Sequence, residues 1–465
     1  MMYQASEGHK KFLDQLEEQL ASRFSEQQVK EIISFSSFYY ASASLDDLAE
    51  YRADDLYGAT VSTWHFVQKY KRNEPKIRVY NPDFEQDGWQ STHTVVEVLQ
   101  NDMPFLVDSI RIELNRRGLT VHTIHNAVLK FQRDESGQLQ QVVGHKAKLD
   151  GAEHESLIYI EVDRHTDQSE LDDLAKSVTE VMTEISTAVI DFPAMREKAQ
   201  MLCQELSNSR PPHLSDDNIQ EAVDFLDWLD HDHFTYLGYD EYEVVDEDGK
   251  KVLKLVAGSE LGVLKLDDAR YNEQSRHDMA LDARQFVLIP ELLGFSKGSS
   301  HARVHRPTYP DYITIKRFDD EGQLVGESRF LGLYTASVYN QLPGNIPVLR
   351  KKVDAVMQAS GLDPKGHNGK HLTQILDVFP RDDLFQIDLH ELTETALSIL
   401  NIRERRKVRL FIREDSFGKL YSCMVYVPRD IYSTEFRHKA QEILWEALDA
   451  NGSEFHTYFS ESALA

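Results

Sequence analysis

The chain has 465 residues, 41% hydrophobic and 28% charged, with a formal net charge of −27. This balance excludes a disordered chain, a broad nucleic-acid surface, which needs a basic face against phosphate, and attraction to anionic lipid. No apolar run approaches the ~18 residues of a membrane span, the amino terminus lacks a signal-peptide core, and Cys203 and Cys423 provide neither a disulfide framework nor four zinc ligands, so a reducing cytoplasm is the expected location.

Residues 1–74 read as helical: Phe12, Leu13, Leu16 and Leu20 mark one face, Ser44 with Asp47 resembles a capping box, and Pro75 breaks the pattern. From Lys76 the period changes. Two strand-like runs, IRVYN and STHTVVEVLQ, precede Pro104, a favoured first helical residue. Leu106, Ile110 and Leu114 then recur at helical spacing up to Gly118. TVHTIHNAVLKFQ and SLIYIEVD read as strands, and Ser169 with Asp172 opens a helix through Leu171, Leu174, Val178, Val181, Ile185 and Val189. Residues 75–207 thus follow the ferredoxin-like βαββαβ order, minus a clear last strand.

The Pro- and Ser-rich stretch Asn208–Asp217 is the best linker. Ser215 caps a helix, and the runs FTYLGYDEYEVV, KVLKLVA, RQFVLIP, YITIKRF and ESRFLGLYT predict an antiparallel, PAS-like α+β domain over 208–345. A helical connector follows over 346–402, punctuated by Gly361, Pro364 and Pro380. Over 403–465, VRLFIRED, a turn at DSFG, LYSCMVYVPRD, a helix from Thr434 to Asp449 and a strand-like SEFHTYFSE form a ββαβ series. That series reads as a second ferredoxin-like unit cut short at Ala465, whether by an artificial boundary or in a short protein product. The expected fold class is α+β and multidomain: ferredoxin-like units flanking an antiparallel sheet domain, with helical connections.

The most idiosyncratic run is His305–Arg350, a predicted hairpin feeding a helix, with Gly322 available for positive φ at its DDEG turn. This run resembles the large bacterial NAD-specific glutamate dehydrogenases in their amino-terminal region. MPFLVDSIRIEL, WLDHDHFTYLGYDEY, HNGKHLTQILDVFPRDDLFQI and FIREDSFGKLYSCMVYVPRDIY resemble the same family, in its order, from Met103 to Tyr432. The resemblance implies that the two ferredoxin-like units are ACT-like regulatory domains. It also implies a homo-oligomer and an NAD-using catalytic region further along a longer polypeptide.

The dehydrogenase chemistry itself has no sequence signature here. A dinucleotide site needs glycines where the backbone meets the pyrophosphate. GSELG at Gly258–Gly262 is spaced wrongly, and HNGKH is not a P-loop. No catalytic residue, metal site or cofactor is expected in this segment.

The candidate effector site is the first strand-to-helix corner, with Asp102, Met103, Phe105, Asp108 and Ser109. Amides at a helix start attract a carboxylate, and Asp102 or Asp108 could take an ammonium. Phe105 stands where many ligand-binding ACT domains carry a glycine. The competing reading is structural: Asp102 caps the helix and Phe105 packs in the core.

A second candidate is an anion or interface patch of Lys297, Arg303, His305, Arg306, Arg317 and Arg329, against a solvated loop and strand edge. His301 and His305 share i,i+4 spacing but lack a third ligand. His231 and His233 suit a helix C-terminus, Cys423 a buried strand, and Arg403, Arg405, Arg406, Lys407 and Arg409 a charged linker.

Three functions fit. The first is a non-catalytic regulatory and oligomerisation segment of an NAD-dependent glutamate dehydrogenase. It would partner its own C-terminal catalytic region, further copies and an amino-acid effector, with no nucleic acid or membrane. The second is a stand-alone amino-acid sensor of ACT and PAS-like modules. The third, an independent enzyme, needs Arg303, Arg306, Arg317 and Arg329 to converge.

Overall fold

A computed structural model describes residues 7–43, 48, 52–247, 250–266, 268, 270–271, 291–402, 407–415, 418, 420–450 and 452–458. The proposed cap at Ser44 and Asp47, the run RQFVLIP and the arginines Arg403, Arg405 and Arg406 lie outside them. The chain forms two units, residues 1–191 with 302–308, and residues 192–301 with 309–465.

In the first unit, helices α1 (Glu7–Ala21), α2 (Glu26–Tyr39) and α3 (Ala53–Val67) precede the sheet. Ser25 caps α2 in a capping box with Gln28. Strands β1 (Lys76–Tyr80), β2 (Thr94–Asn101), β3 (Val121–Arg133), β4 (Leu139–Gly144) and β5 (Glu153–Val162) form one antiparallel sheet in the order β1-β2-β5-β3-β4. Helix α4 (Leu106–Arg116) links β2 to β3, and α5 (Gln168–Asn208) follows β5.

Leu99, Ala127, Leu129, Phe131 and Leu157 pack against Leu20, Ile32, Phe35 and Trp64 of the amino-terminal helices. Side chains alternate along β2, so Gln100 points the other way and donates to Ser186 of α5. With both faces covered, β2 is buried throughout TVVEVLQ, the polar Thr94, Glu97 and Gln100 included.

The missing last strand of the βαββαβ series has an explanation in the topology. Strand β1 pairs antiparallel with β2 on the edge where the ferredoxin-like fourth strand would lie. The sheet edge is filled by sequence from before the series instead of after it. Strand β4 was not predicted; it extends β3 on the opposite edge. Asp167, not Ser169, starts the long helix, accepting from the Ser169 backbone and hydroxyl.

In the second unit, strands β6 (Phe234–Glu247), β7 (Lys250–Leu255), β8 (Leu261–Gly262), β9 (Leu293–Lys297), β10 (Asp311–Phe318) and β11 (Leu324–Tyr334) form an antiparallel sheet. Its order is β7-β6-β11-β10-β9, with β8 beside β6. The predicted hairpin is β10–β11, and Gly322 has φ 79° in its turn.

One face of this sheet, carrying Tyr236, Tyr239, Ile313, Ile315 and Phe330, packs with α6 (Asp216–Trp228), α7 (Leu349–Ser360), α8 (His367–Val378), α9 (Arg381–Gln386) and α10 (Leu389–Ile402) through Phe225, Val356, Leu372, Leu376, Phe385 and Ala396. Strands β12 (Arg409–Glu414) and β13 (Tyr421–Tyr426) make a separate hairpin, followed by α11 (Thr434–Leu448). Residues 452–458 form no strand, unlike the reading of SEFHTYFSE. Cys423 is only half-buried because its hairpin has two strands and an exposed outer face.

Candidate functional site

The β2-to-α4 corner is built from a tight turn. Asp102 donates its N–H to the His154 carbonyl (2.9 Å), continuing the strand pairing one residue past β2. The helix begins only at Leu106, and its N-cap is Phe105, at φ 75° and ψ −2°. Asp102 therefore does not cap the helix, and Pro104 is not its first residue; the left-handed turn at Phe105 shifts the start by two positions. A bulky residue with positive φ is a genuine outlier. Among known sources of such strain, functional sites rank high.

Around this turn, Asp102 and Asp108 are exposed residues, but partial burial of the Asp102 carboxyl raises it above its usual range against the opposing pull of His154 and His145. Met103 lies with its Sδ 3.8 Å from the Ser186 hydroxyl. Ser109 is fully buried, and its N–H donates to the Phe105 carbonyl (3.0 Å).

The structure brings one residue of the second candidate cluster, His305, to this same corner. The His305 N–H donates to Ser109 Oγ (3.1 Å), and its ring lies 4.7 Å from that of Phe105. His305 also has a left-handed backbone, φ 73°. Burial and the neighbouring Arg306 charge hold its imidazole below the usual value, with Asp108 pulling the other way.

Arg303 is 6% exposed among three carboxylates: Nε is 3.5 Å from both Glu113 and Glu184, and Nη1 is 3.5 Å from Glu180. Its Nη2 donates to the Ser177 carbonyl (3.1 Å). Glu113, fully buried, also accepts from Arg116 (2.7 Å), Arg117 (3.0 Å) and the Ser177 hydroxyl. Burial raises the Glu113 carboxyl, but hydrogen bonds from Arg116, Ser177 and Arg117 and the Arg303 charge outweigh it and hold its pKa at about 2.

The remaining patch residues lie in the second unit. Lys297 pairs with Asp311 (2.9 Å) and Asp382 (2.8 Å), and these charges raise its ammonium pKa against the effect of burial. Arg329 binds Asp240 (2.7 Å) and the Tyr242 hydroxyl (2.6 Å). Lys316 sits opposite Glu327 in the β10–β11 register. Arg317 donates to the Tyr242 carbonyl (3.0 Å) and lines a cavity of about 220 Å³ with Leu202, Leu206, Ile219, Leu292 and Phe318.

His231 and His233 end α6 as its dipole favours, each Nδ1 within 2.7 Å of a helix carbonyl. His301 stacks on Tyr309 and meets Glu454 at 2.5 Å. Among the described residues no group of three or more His, Cys, Asp or Glu side chains is placed to hold a metal ion. The partners of Arg303, namely Glu113, Glu180 and Glu184, were not foreseen: they lie far from it in sequence and belong to no motif that links them to it.

Three segments match family models in sequence order. Residues 35–178 match the glutamate dehydrogenase ACT1 domain, 346–405 its helical motif 1 and 409–465 its ACT2 domain. The NAD-specific glutamate dehydrogenase of Halomonas elongata is 55% identical over 97% of this chain, and that of Pseudomonas aeruginosa 43% identical over 98%. The Mycobacterium tuberculosis NAD-specific glutamate dehydrogenase is 26% identical over 80%. The chain spans 28% of the length of the first two relatives. With the family's segments in order and relatives matched along almost all of its length, the chain belongs to the amino-terminal region of the NAD-specific glutamate dehydrogenases.

Proposed function

We propose that this chain is a non-catalytic regulatory and oligomerisation segment of a cytoplasmic NAD-dependent glutamate dehydrogenase. The whole enzyme would convert L-glutamate, NAD and water to 2-oxoglutarate, ammonia and NADH, with NAD bound in its C-terminal catalytic region. The carrying observation is the pair of ACT-family matches flanking the chain's middle sheet, one of them over a sheet of ferredoxin-like order. The same matches favour this reading over a stand-alone sensor. Residues 75–207 and 403–465 would be the ACT-like units, with residues 1–74 covering the first, a PAS-like sheet domain over 208–345 and the helical connector over 346–402.

Within the first unit, the corner of Asp102, Met103, Phe105, Asp108 and Ser109 is the effector site. The amides at the start of α4 face the carboxylate of an amino acid, and Asp102 or Asp108 takes its ammonium. Arg317 and its cavity, and the Lys297 and Arg329 clusters, are the remaining groups for an anion or for contact between copies.

The test is an NADH assay on residues 1–465 with L-glutamate and NAD, beside the full-length enzyme. The expected outcome is turnover by the full-length enzyme only; NADH formation by the segment alone would overturn the non-catalytic reading.

A further inference from the structure

Two residues with side chains, Phe105 and His305, hold left-handed backbones and face one another ring to ring. Each is a conformation that glycine would adopt freely. Such strained backbones persist where surrounding contacts hold them. The stretch 302–308 supplies those contacts. It folds on itself, with the Ala302 N–H donating to the Thr308 carbonyl (2.9 Å) and the Arg306 N–H to that of Val304 (2.9 Å). Ala302 and Val304 are almost wholly buried. Arg303 anchors one side among Glu113, Glu180 and Glu184, and the His305 N–H is spent on Ser109, in the first turn of α4.

We propose that residues 302–308 are an internal strap that occupies the β2–α4 corner in place of a free ligand. The strap's backbone N–H and imidazole fill the room beside Phe105 and Ser109 that a small zwitterion would need. A free amino acid then binds the corner only by displacing the strap, so the effector acts by exchange with the chain's own segment. The left-handed backbones at Phe105 and His305 are strain that leaving the corner would relieve. Arg303 is the latch, because its pairs with Glu113, Glu180 and Glu184 and its bond to the Ser177 carbonyl hold the strap in place. This inference rests on the effector reading of the corner.

The experiment is amide hydrogen exchange on the 465-residue chain with L-alanine, L-glutamate and L-lysine, representing neutral, acidic and basic side chains. It compares wild type, Arg303→Met and His305→Gly. Arg303→Met removes the latch but keeps a side chain of similar length. His305→Gly removes the ring and accepts the backbone angle, so it guards against a variant that fails to fold. In Arg303→Met, exchange at Val304 and His305 is expected to rise by at least about tenfold, while β2 and β5 keep their protection.

Both variants are expected to bind one of the three amino acids more tightly than wild type, and binding to wild type is expected to expose residues 302–308. An amino acid that protects the corner of wild type without changing exchange in 302–308 would overturn the strap and leave the effector reading standing. Release of 302–308 in folded Arg303→Met with none of the three amino acids bound would overturn both.

Discussion

Glu113 concentrates the electrostatics of the first unit on one buried carboxylate. It faces Arg116, Arg117, Arg303 and the Ser177 hydroxyl, so its loss leaves a buried guanidinium short of a partner. Glu113→Ala is expected to cost about 3 kcal/mol in urea unfolding, the scale of a broken buried pair. The sign of its pH dependence follows from a folded pKa of about 2 against an ordinary 4.5. The depressed carboxyl binds fewer protons folded than unfolded below pH 4.5, so its contribution is full above that value. It is lost as pH falls from 4.5 towards 2, and acid titration of Glu113→Gln should show a shallower decline over that window than wild type.

Glu221 has a matching role in the second unit, at 8% exposure. It accepts from the Val348 N–H (2.7 Å) and from Arg350 (2.8 Å), which holds Val348 in an unusual positive φ of 71° at the start of α7. Glu221→Ala is expected to lower stability by about 2 kcal/mol, the scale of hydrogen bonds to a charged group. Thermal melts with Arg350→Ala and the double variant would measure the coupling; strictly additive losses would dismiss it.

Between elements, packing decides against local preference in α3. Gly58 lies mid-helix, where alanine normally gains about 1 kcal/mol. A Cβ there would stand 2.3 Å from the Cβ of Trp89, a fully buried residue. Gly58→Ala is therefore expected to destabilise, by about 2 kcal/mol, as overpacked cores do. A rise in melting temperature would show that Trp89 yields easily. The close approach lets α3 lie against the sheet edge at β1, where Thr63 and Arg78 both bind the buried Glu97 (2.8 Å and 2.7 Å).

Across the whole molecule, a net charge of −27 sets a self-repulsion that folding must overcome. Added salt screens exposed charges beyond roughly 10 Å at 0.1 M. The melting temperature is expected to rise from low to physiological ionic strength. Buried pairs such as Arg133–Glu155 and Arg329–Asp240 are screened little, so a fall in melting temperature would mean that surface ion pairs outweigh the repulsion.

By itself the sequence determined most of the elements and their order. Hydrophobic period named helices from Phe12 to Leu20 and strands from Lys76 to Val162, and turn residues such as Gly322 marked the β10–β11 hairpin. Periodicity reports which face of an element meets a core, so these features are local and legible. Strand β4 escaped because its half-exposed edge carries a weak alternation. The motif strings also identified the family, which the ACT and helical-motif matches bear out.

Tertiary structure alone decided which distant residues meet. It placed β1 in the position of a last strand, set Phe105 rather than Asp102 at the helix start, and divided the basic cluster. His305 went to the β2–α4 corner and Arg303 to carboxylates of α4 and α5, while Lys297 and Arg329 went to carboxylates of the second unit. A charge far from its partner in sequence carries no periodic signal; only the fold's geometry determines which carboxylate it reaches.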